Sequence, residues 1–264
     1  MRLFLFIVAI AVSGLFSSCP QQVADDLQKV EHESSAPPAA DRQAVLVELF
    51  TSEGCSSCPP ADRNLVFLEK QQPVAQAEII TLAFHVDYWD RLGWKDRFSS
   101  PLYSRRQQIY TEALNLNSNY TPQMVVDGKS EFVGSDSGKA SKEISKSAES
   151  AKALIEVTAE ENHLKVKIRN APRHGEATVY AAIAEDGIST RVERGENSGK
   201  TLEHISVVRE LKTVGVLAED KNELEVSSDF QVGAEWKPEN LKVVVFVQEN
   251  QARRIIGVGK VKLR

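Results

Sequence analysis

Ala44-Val45-Leu46-Val47-Glu48-Leu49-Phe50 runs through Thr51-Ser52-Glu53-Gly54 into Cys55-Ser56-Ser57-Cys58-Pro59-Pro60. The first seven residues are an apolar run of β-formers and predict a buried strand. Thr51 to Gly54 predicts a loop. Ala61, Leu65 and Leu68 follow at helical spacing, in a segment that Pro73 closes. A Cys-x-x-Cys pair therefore falls between a strand and a helix. The thiolate is the reactive form of cysteine, and a helix N-terminus favours negative charge. Cys55 is expected to be the attacking thiol and Cys58 the resolving thiol, which displaces the mixed disulfide. Proline lacks an N–H and is tolerated only in the first helical turn. The helix should begin no earlier than about Ser56, with Cys55 at or before its cap and Cys58 in its first turn.

Working outward, Glu78 to Val86 predicts a second strand, and Asp87 to Ser100 is aromatic, polar and irregular. Pro101 to Leu116 carries an apolar helical stripe. Met124-Val125-Val126 predicts a strand, Asp127-Gly128 a tight hairpin, and Phe132-Val133 its return. Asp136 to Ala153 predicts a closing helix. Strand, helix, strand, helix, hairpin, helix is the order of a thioredoxin fold. From Leu154 the period changes to two, with candidate strands at Leu154–Ala159, His163–Arg169, Ala177–Ala184, Ser206–Leu211, Glu223–Phe230, Leu241–Gln248 and Arg254–Val261. Seven short strands separated by turn-rich segments predict an antiparallel sandwich. The expected fold class is thus an α/β thioredoxin-like domain (44–153) followed by an all-β sandwich-like domain (154–264). His163, His174 and His204 are scattered through the second half and read as surface or cross-strand residues.

Tyr120-Thr121-Pro122-Gln123 precedes a strand some 64 residues after the cysteines. In thioredoxin-like folds a cis-proline at this place faces the disulfide, so Pro122 is expected to shape the substrate groove with Thr121 beside it. His85-Val86-Asp87-Tyr88-Trp89-Asp90-Arg91-Leu92-Gly93-Trp94-Lys95-Asp96 is dense in histidine, aspartate and aromatics. Strand alternation puts His85 and Asp87 on one face, and either can move a proton during exchange. Trp89 and Trp94 are candidates for a binding wall. Two other readings of the cysteines stay open. One is a structural disulfide in a non-enzymatic envelope binding or scaffold protein. The other is a copper or zinc site made by Cys55, Cys58 and His85, since soft sulfur ligands suit Cu(I). An accessible Cys55 favours exchange, and an inaccessible one favours the structural reading.

Val47 to Asp62 resembles the signature of an uncharacterised secreted bacterial family, the domain of unknown function 1223. Three further blocks carry the same resemblance: His85 to Asp96, Tyr120 to Gln123 with Asp127-Gly128, and Gly195-Glu196-Asn197 with Val207-Val208-Arg209. The resemblance covers roughly Ala44 to the C-terminus. It implies a thioredoxin-like domain with a β-rich domain and supplies no activity.

The chain has 264 residues, 42% of them hydrophobic, and a formal net charge of −5. The acidic balance argues against an electrostatic nucleic-acid binder. Three cysteines are too few for a disulfide-stapled mini-protein. Met1-Arg2, the apolar run Leu3 to Val12 and the small residues up to Cys19 predict a signal peptide over 1–19, because ten apolar residues are too short to span a bilayer of about 30 Å. Phe16-Ser17-Ser18-Cys19 resembles a lipobox, which predicts lipidation of Cys19, membrane attachment through it, and location in the periplasm or at the outer membrane; the alternative is a secreted soluble protein. Residues 20–43 predict a polar tether. The expected activity is thiol–disulfide exchange with protein thiols and disulfides, without a cofactor.

Overall fold

The computed structural model describes residues 42–263; the leader, Cys19 and nearly all of the tether lie outside them. The first half runs β1 (Gln43–Thr51), α1 (Pro59–Gln71), β2 (Ala77–His85), α2 (Pro101–Ala113), β3 (Gln123–Val126), β4 (Ser130–Val133) and α3 (Ser137–Ala148). Nine strands follow: β5 (Leu154–Glu160), β6 (His163–Arg169), β7 (Ala177–Glu185), β8 (Ile188–Arg191), β9 (Thr201–His204), β10 (Val207–Leu217), β11 (Leu224–Asp229), β12 (Leu241–Glu249) and β13 (Ile255–Lys262).

Local chemistry accounts for most boundaries. Ser100 caps α2 by accepting from the Leu102 N–H at 3.2 Å, and Asp136 caps α3 by accepting from Lys139 at 2.8 Å. The β3–β4 turn needs positive φ at Asp127 (48°) and Gly128 (69°). A Cβ at Gly128 would also lie 2.0 Å from the Arg253 carbonyl oxygen, so this turn admits no larger residue.

Eight strands form one mixed sheet in the order β13-β12-β7-β10-β2-β1-β3-β4. β1 and β2 are parallel, and β3 and β4 continue antiparallel. The join between the two halves is parallel and short: Val207 of β10 faces Ala83 of β2, whose N–H donates to Ser206 O at 2.8 Å. One face of the sheet is covered by α2, whose Tyr103 and Tyr110 pack with Phe50, Phe84, Val244 and Phe246 from both halves. The opposite face is covered by α1 and α3 over β1 and β3. Further along, the separate sheet β11-β6-β5 packs over β7 and β12. Gly257 and Gly259 let β5 cross closely on β13, because a Cβ at either would meet Ile155 at 2.6–2.9 Å.

The expected fold class, a thioredoxin-like domain followed by an all-β sandwich-like domain, is corrected by this topology. Strands from both sides of residue 153 share one hydrogen-bonded sheet, and only three α-helices occur among the described residues. The cause is visible in the burial of β7 and β12. Both are apolar on two faces, with every residue of β12 buried. Strands buried on both faces belong at the centre of a large sheet rather than in a sandwich layer with one face in water. The alternation that predicted a sandwich is real in β5, β6 and β11, which form the smaller layer.

Candidate functional site

β1 ends at Thr51, and two successive turns follow, with Cys55 N–H donating to Ser52 O and Cys58 N–H to Cys55 O, each at 3.2 Å. Cys58 is the N-cap of α1 and already has helical angles. The helix therefore starts at Pro59, later than the earliest start the sequence allowed, because two consecutive prolines fit only at its first positions. Cys55 and Cys58 are joined by a disulfide with Cα atoms 5.4 Å apart. Both residues are 0% exposed, while Ser56 and Ser57 between them are exposed. The Ser57 hydroxyl lies 3.3 Å from Cys55 Sγ. Pro59 and Pro60 contribute no N–H, and the N–H groups of Ala61 and Asp62 both donate to Cys58 O. The first turn of α1 thus has no free backbone donor for a thiolate, contrary to the expectation drawn from a bare helix N-terminus.

The Thr121–Pro122 peptide is cis and sits beside this loop, since β3 pairs with the end of β1 through Phe50 and Gln123. Ser57 Oγ donates to Thr121 O at 3.4 Å, and Trp89 Nε1 donates to Thr121 Oγ1 at 2.8 Å. Trp94 Nε1 donates to Glu53 Oε2 at 2.8 Å. Both indole N–H groups are thereby engaged within the protein. Asp87 parts from His85: β2 ends at His85, and Asp87 accepts instead from Ser104 Oγ of α2 at 2.5 Å. The structure thus gathers Cys55, Cys58, Thr121, Pro122, Trp89 and Trp94 around one loop and ties Asp87 to a helix.

Glu53 of the cysteine loop and Asp62 of α1 belong to a buried ionisable cluster. Glu53, Asp62, His85, Asp96 and His204 are each at most 7% exposed. His85 Nδ1 is 2.6 Å from Asp96 Oδ2, which also accepts from the Glu53 N–H at 2.9 Å. Thr51 Oγ1 donates to Asp62 Oδ1 at 2.9 Å. His204 Nε2 lies 3.3 Å from Glu53 Oε1, yet neither atom has a hydrogen-bond partner, and His85 Nε2 also lacks one. Burial raises the Asp62 carboxyl above its ordinary range, although the His204 and His85 imidazoles oppose it. Burial pushes His85 down, but the adjacent Asp96 carboxylate, with Asp62 and Glu53, raises it overall. Burial pushes Asp96 up, but His85 and the N–H groups of Glu53 and Phe98 outweigh it and hold Asp96 low.

A segment between β8 and β9 covers the loop from above. Asn197 is fully buried, and its Nδ2 donates to both Glu53 O and Cys55 O at 2.9 Å. Glu196 accepts from the Ser56 N–H at 3.1 Å, and Lys200 Nζ donates to Asn197 Oδ1 at 2.9 Å. Sequence reasoning did not single out Glu53, Asp62, Asp96 or Asn197, although all four stand inside the motif blocks. His204, expected at the surface or as a cross-strand residue, is buried and faces Glu53. In the disulfide form the two sulfurs are bonded to each other and are not thiolate ligands. Among the described residues no group of three or more His, Cys, Asp or Glu side chains is arranged to hold one.

Fold and site together define a mostly β protein built on one large mixed sheet, with a buried CxxC disulfide and a buried cluster of ionisable side chains. The chain belongs to the family described as protein of unknown function DUF1223, whose model matches residues 46–248. No curated protein matches it. The crystal structure of protein AGR_C_4864 from Agrobacterium tumefaciens is similar, with 26% identity and a TM-score of 0.66, over 83% of this chain and 93% of that one. HBP35 of Porphyromonas gingivalis has a similar fold at 13% identity and a TM-score of 0.59, over 84% and 76% of the two chains. No helix among the described residues is long and apolar enough to cross a membrane.

Proposed function

We propose that this protein carries out thiol–disulfide exchange with protein thiols and disulfides in the bacterial cell envelope, reached through the signal peptide and Cys19. Cys55 takes the attacking role and Cys58 the resolving role. Thr121 and Pro122, with Trp89 and Trp94, border the place where a substrate strand approaches. The observation that carries this reading is the cluster of five buried ionisable residues that includes Glu53 of the cysteine loop and Asp62 of the helix whose N-cap is Cys58. A staple has no use for buried charge, which is costly to desolvate. As a staple this disulfide would also be weak: closing a loop of four residues gives about 2 kcal/mol, against about 4.7 kcal/mol for 100 residues. The Asn197 segment then acts as a cover that must lift before a substrate sulfur reaches Cys55.

Complete burial of both cysteines favours a second reading, in which the disulfide is structural and the protein binds or scaffolds in the envelope. One measurement separates the two. The protein is equilibrated in glutathione buffers of graded ratio, and trapped thiols on Cys55 and Cys58 are counted by mass. Exchange is expected to give a reversible transition above about −270 mV. A pair still oxidised below about −300 mV would replace exchange with the structural reading.

A further inference from the structure

We propose that Asp62 is the proton donor and acceptor for Cys58 as the disulfide opens and closes. The inference rests on the exchange reading above. Opening the disulfide leaves charge on Cys58 Sγ in a place without solvent, since Cys58 is 0% exposed. The helix cannot hold that charge through its backbone: its first two residues are prolines, and the next two N–H groups are committed to Cys58 O. The Ser57 hydroxyl serves Cys55, not Cys58. A proton must therefore come from a side chain.

Cys58 has helical angles (φ −77°, ψ −37°), so the residue four positions on lies on the same face one turn away, with Cβ atoms about 6 Å apart. That residue is Asp62, which is 7% exposed. Its Oδ1 is fixed by Thr51, at the end of β1, which leaves Oδ2 for a second proton partner. The charged groups that act on it come from every neighbouring element: His204 from β9, His85 from β2, and Asp96 from the loop that precedes α2. Glu53, from the loop after β1, faces His204 in the same cluster. Burial favours the protonated carboxyl, the form needed to donate.

The step balances as follows. A substrate thiolate forms a bond to Cys55 Sγ, and the Cys55–Cys58 bond breaks with its electron pair moving to Cys58 Sγ. Cys58 takes the proton from the Asp62 carboxylic acid, leaving a carboxylate. In the return direction the Asp62 carboxylate takes that proton back, and the Cys58 thiolate attacks Cys55 Sγ of the mixed disulfide. The bond between Cys55 and the substrate sulfur breaks, and the substrate departs as a thiolate.

The test has two readouts. In a Cys55→Ser background the lone Cys58 is titrated by thiolate absorbance, with and without Asp62→Asn. Removing the neighbouring carboxylate should lower the Cys58 titration by about one pH unit or more. An unchanged titration in a folded variant would overturn the proposal. In the otherwise wild-type protein, Asp62→Asn should remove the carboxyl's ionisation from the pH profile for release of a trapped Cys55 mixed disulfide and leave only that of Cys58. Wild-type release rates at every pH would also overturn it. Failure of the wild-type pair to equilibrate with glutathione would defeat the exchange reading by itself, and a shifted Cys58 titration would still support the Asp62–Cys58 pairing. Asn at position 62 can still accept from Thr51, which keeps the fold test fair.

Discussion

Asp96 and Asp62 sit in one buried cluster, yet pH acts on them with opposite signs. Asp96 is held below the ordinary 3.8, first against burial and then by His85 and two N–H groups. Its stabilisation is complete above 3.8 and is lost as pH falls through its lower folded value. His85 is raised above 6.5, so its share is complete below 6.5 and is lost as pH rises through its folded value. Asp62 is raised by burial, so its protonated form favours folding, and stability is lost as pH rises from 3.8 through its folded value. Asp96→Asn should therefore cost about 2 kcal/mol near pH 6, the worth of a hydrogen bond to a charged group, with the deficit shrinking toward pH 2. Asp62→Asn should instead be more stable than wild type at pH 8 and no more stable at pH 3. Urea midpoints across a pH series check both, and parallel profiles for the two variants would refute the assignment.

At the scale of elements, the segment between β8 and β9 decides whether the disulfide can be reached. It holds the cysteine loop by two carbonyl bonds from a single amide and one exposed contact from Glu196. Each net hydrogen bond is worth about 1 kcal/mol, and about 1.4 kcal/mol is a factor of ten in rate. Asn197→Ala should speed reduction of the disulfide by dithiothreitol by about 10- to 30-fold. Glu196→Gln should leave the rate within about twofold, because only a solvent-exposed contact changes. Equal rates in wild type and Asn197→Ala would mean that this segment does not control access. Neither β8 nor β9 shows a strand signal in the sequence. Each is four residues long, and they pair only with each other, so neither shows a long enough pattern to read.

Across the whole molecule, one buried arginine ties the two halves together. Arg106 of α2 donates through Nε to Glu48 of β1 at 2.6 Å and through Nη1 to Gln248 of β12 at 3.2 Å. Its guanidinium lies 5.0–5.5 Å from the ring centres of Phe84, Tyr110, Tyr180 and Phe246. Glu48 and Arg106 are almost fully buried, so removing one leaves an unpaired charge. Arg106→Met and Glu48→Leu should each cost about 3–5 kcal/mol by denaturant midpoint, whereas the double variant should recover most of the loss. Additive losses in the double variant would show that packing, rather than the pair, dominates.

The motif blocks in the sequence determined the family. Sequence alone also determined the strand-loop-helix setting of Cys55 and Cys58 and most strand positions. These follow from local rules: apolar periodicity, proline at a helix start, and positive φ at Asp127-Gly128. The tertiary structure decided what those strands build. Periodicity reports which faces of a strand are buried but not which strand lies beside it, and the sheet is joined by one parallel contact, Val207 to Ala83, with 123 residues between them. The sandwich reading rested on strand count and spacing alone, and the burial of β7 and β12 on both faces is what puts them at the centre of the sheet. The site divided in the same way. Cysteine and proline announce themselves by spacing. Glu53, Asp62, Asp96, Asn197 and His204 are ordinary polar residues until folding removes them from water and sets them against one disulfide.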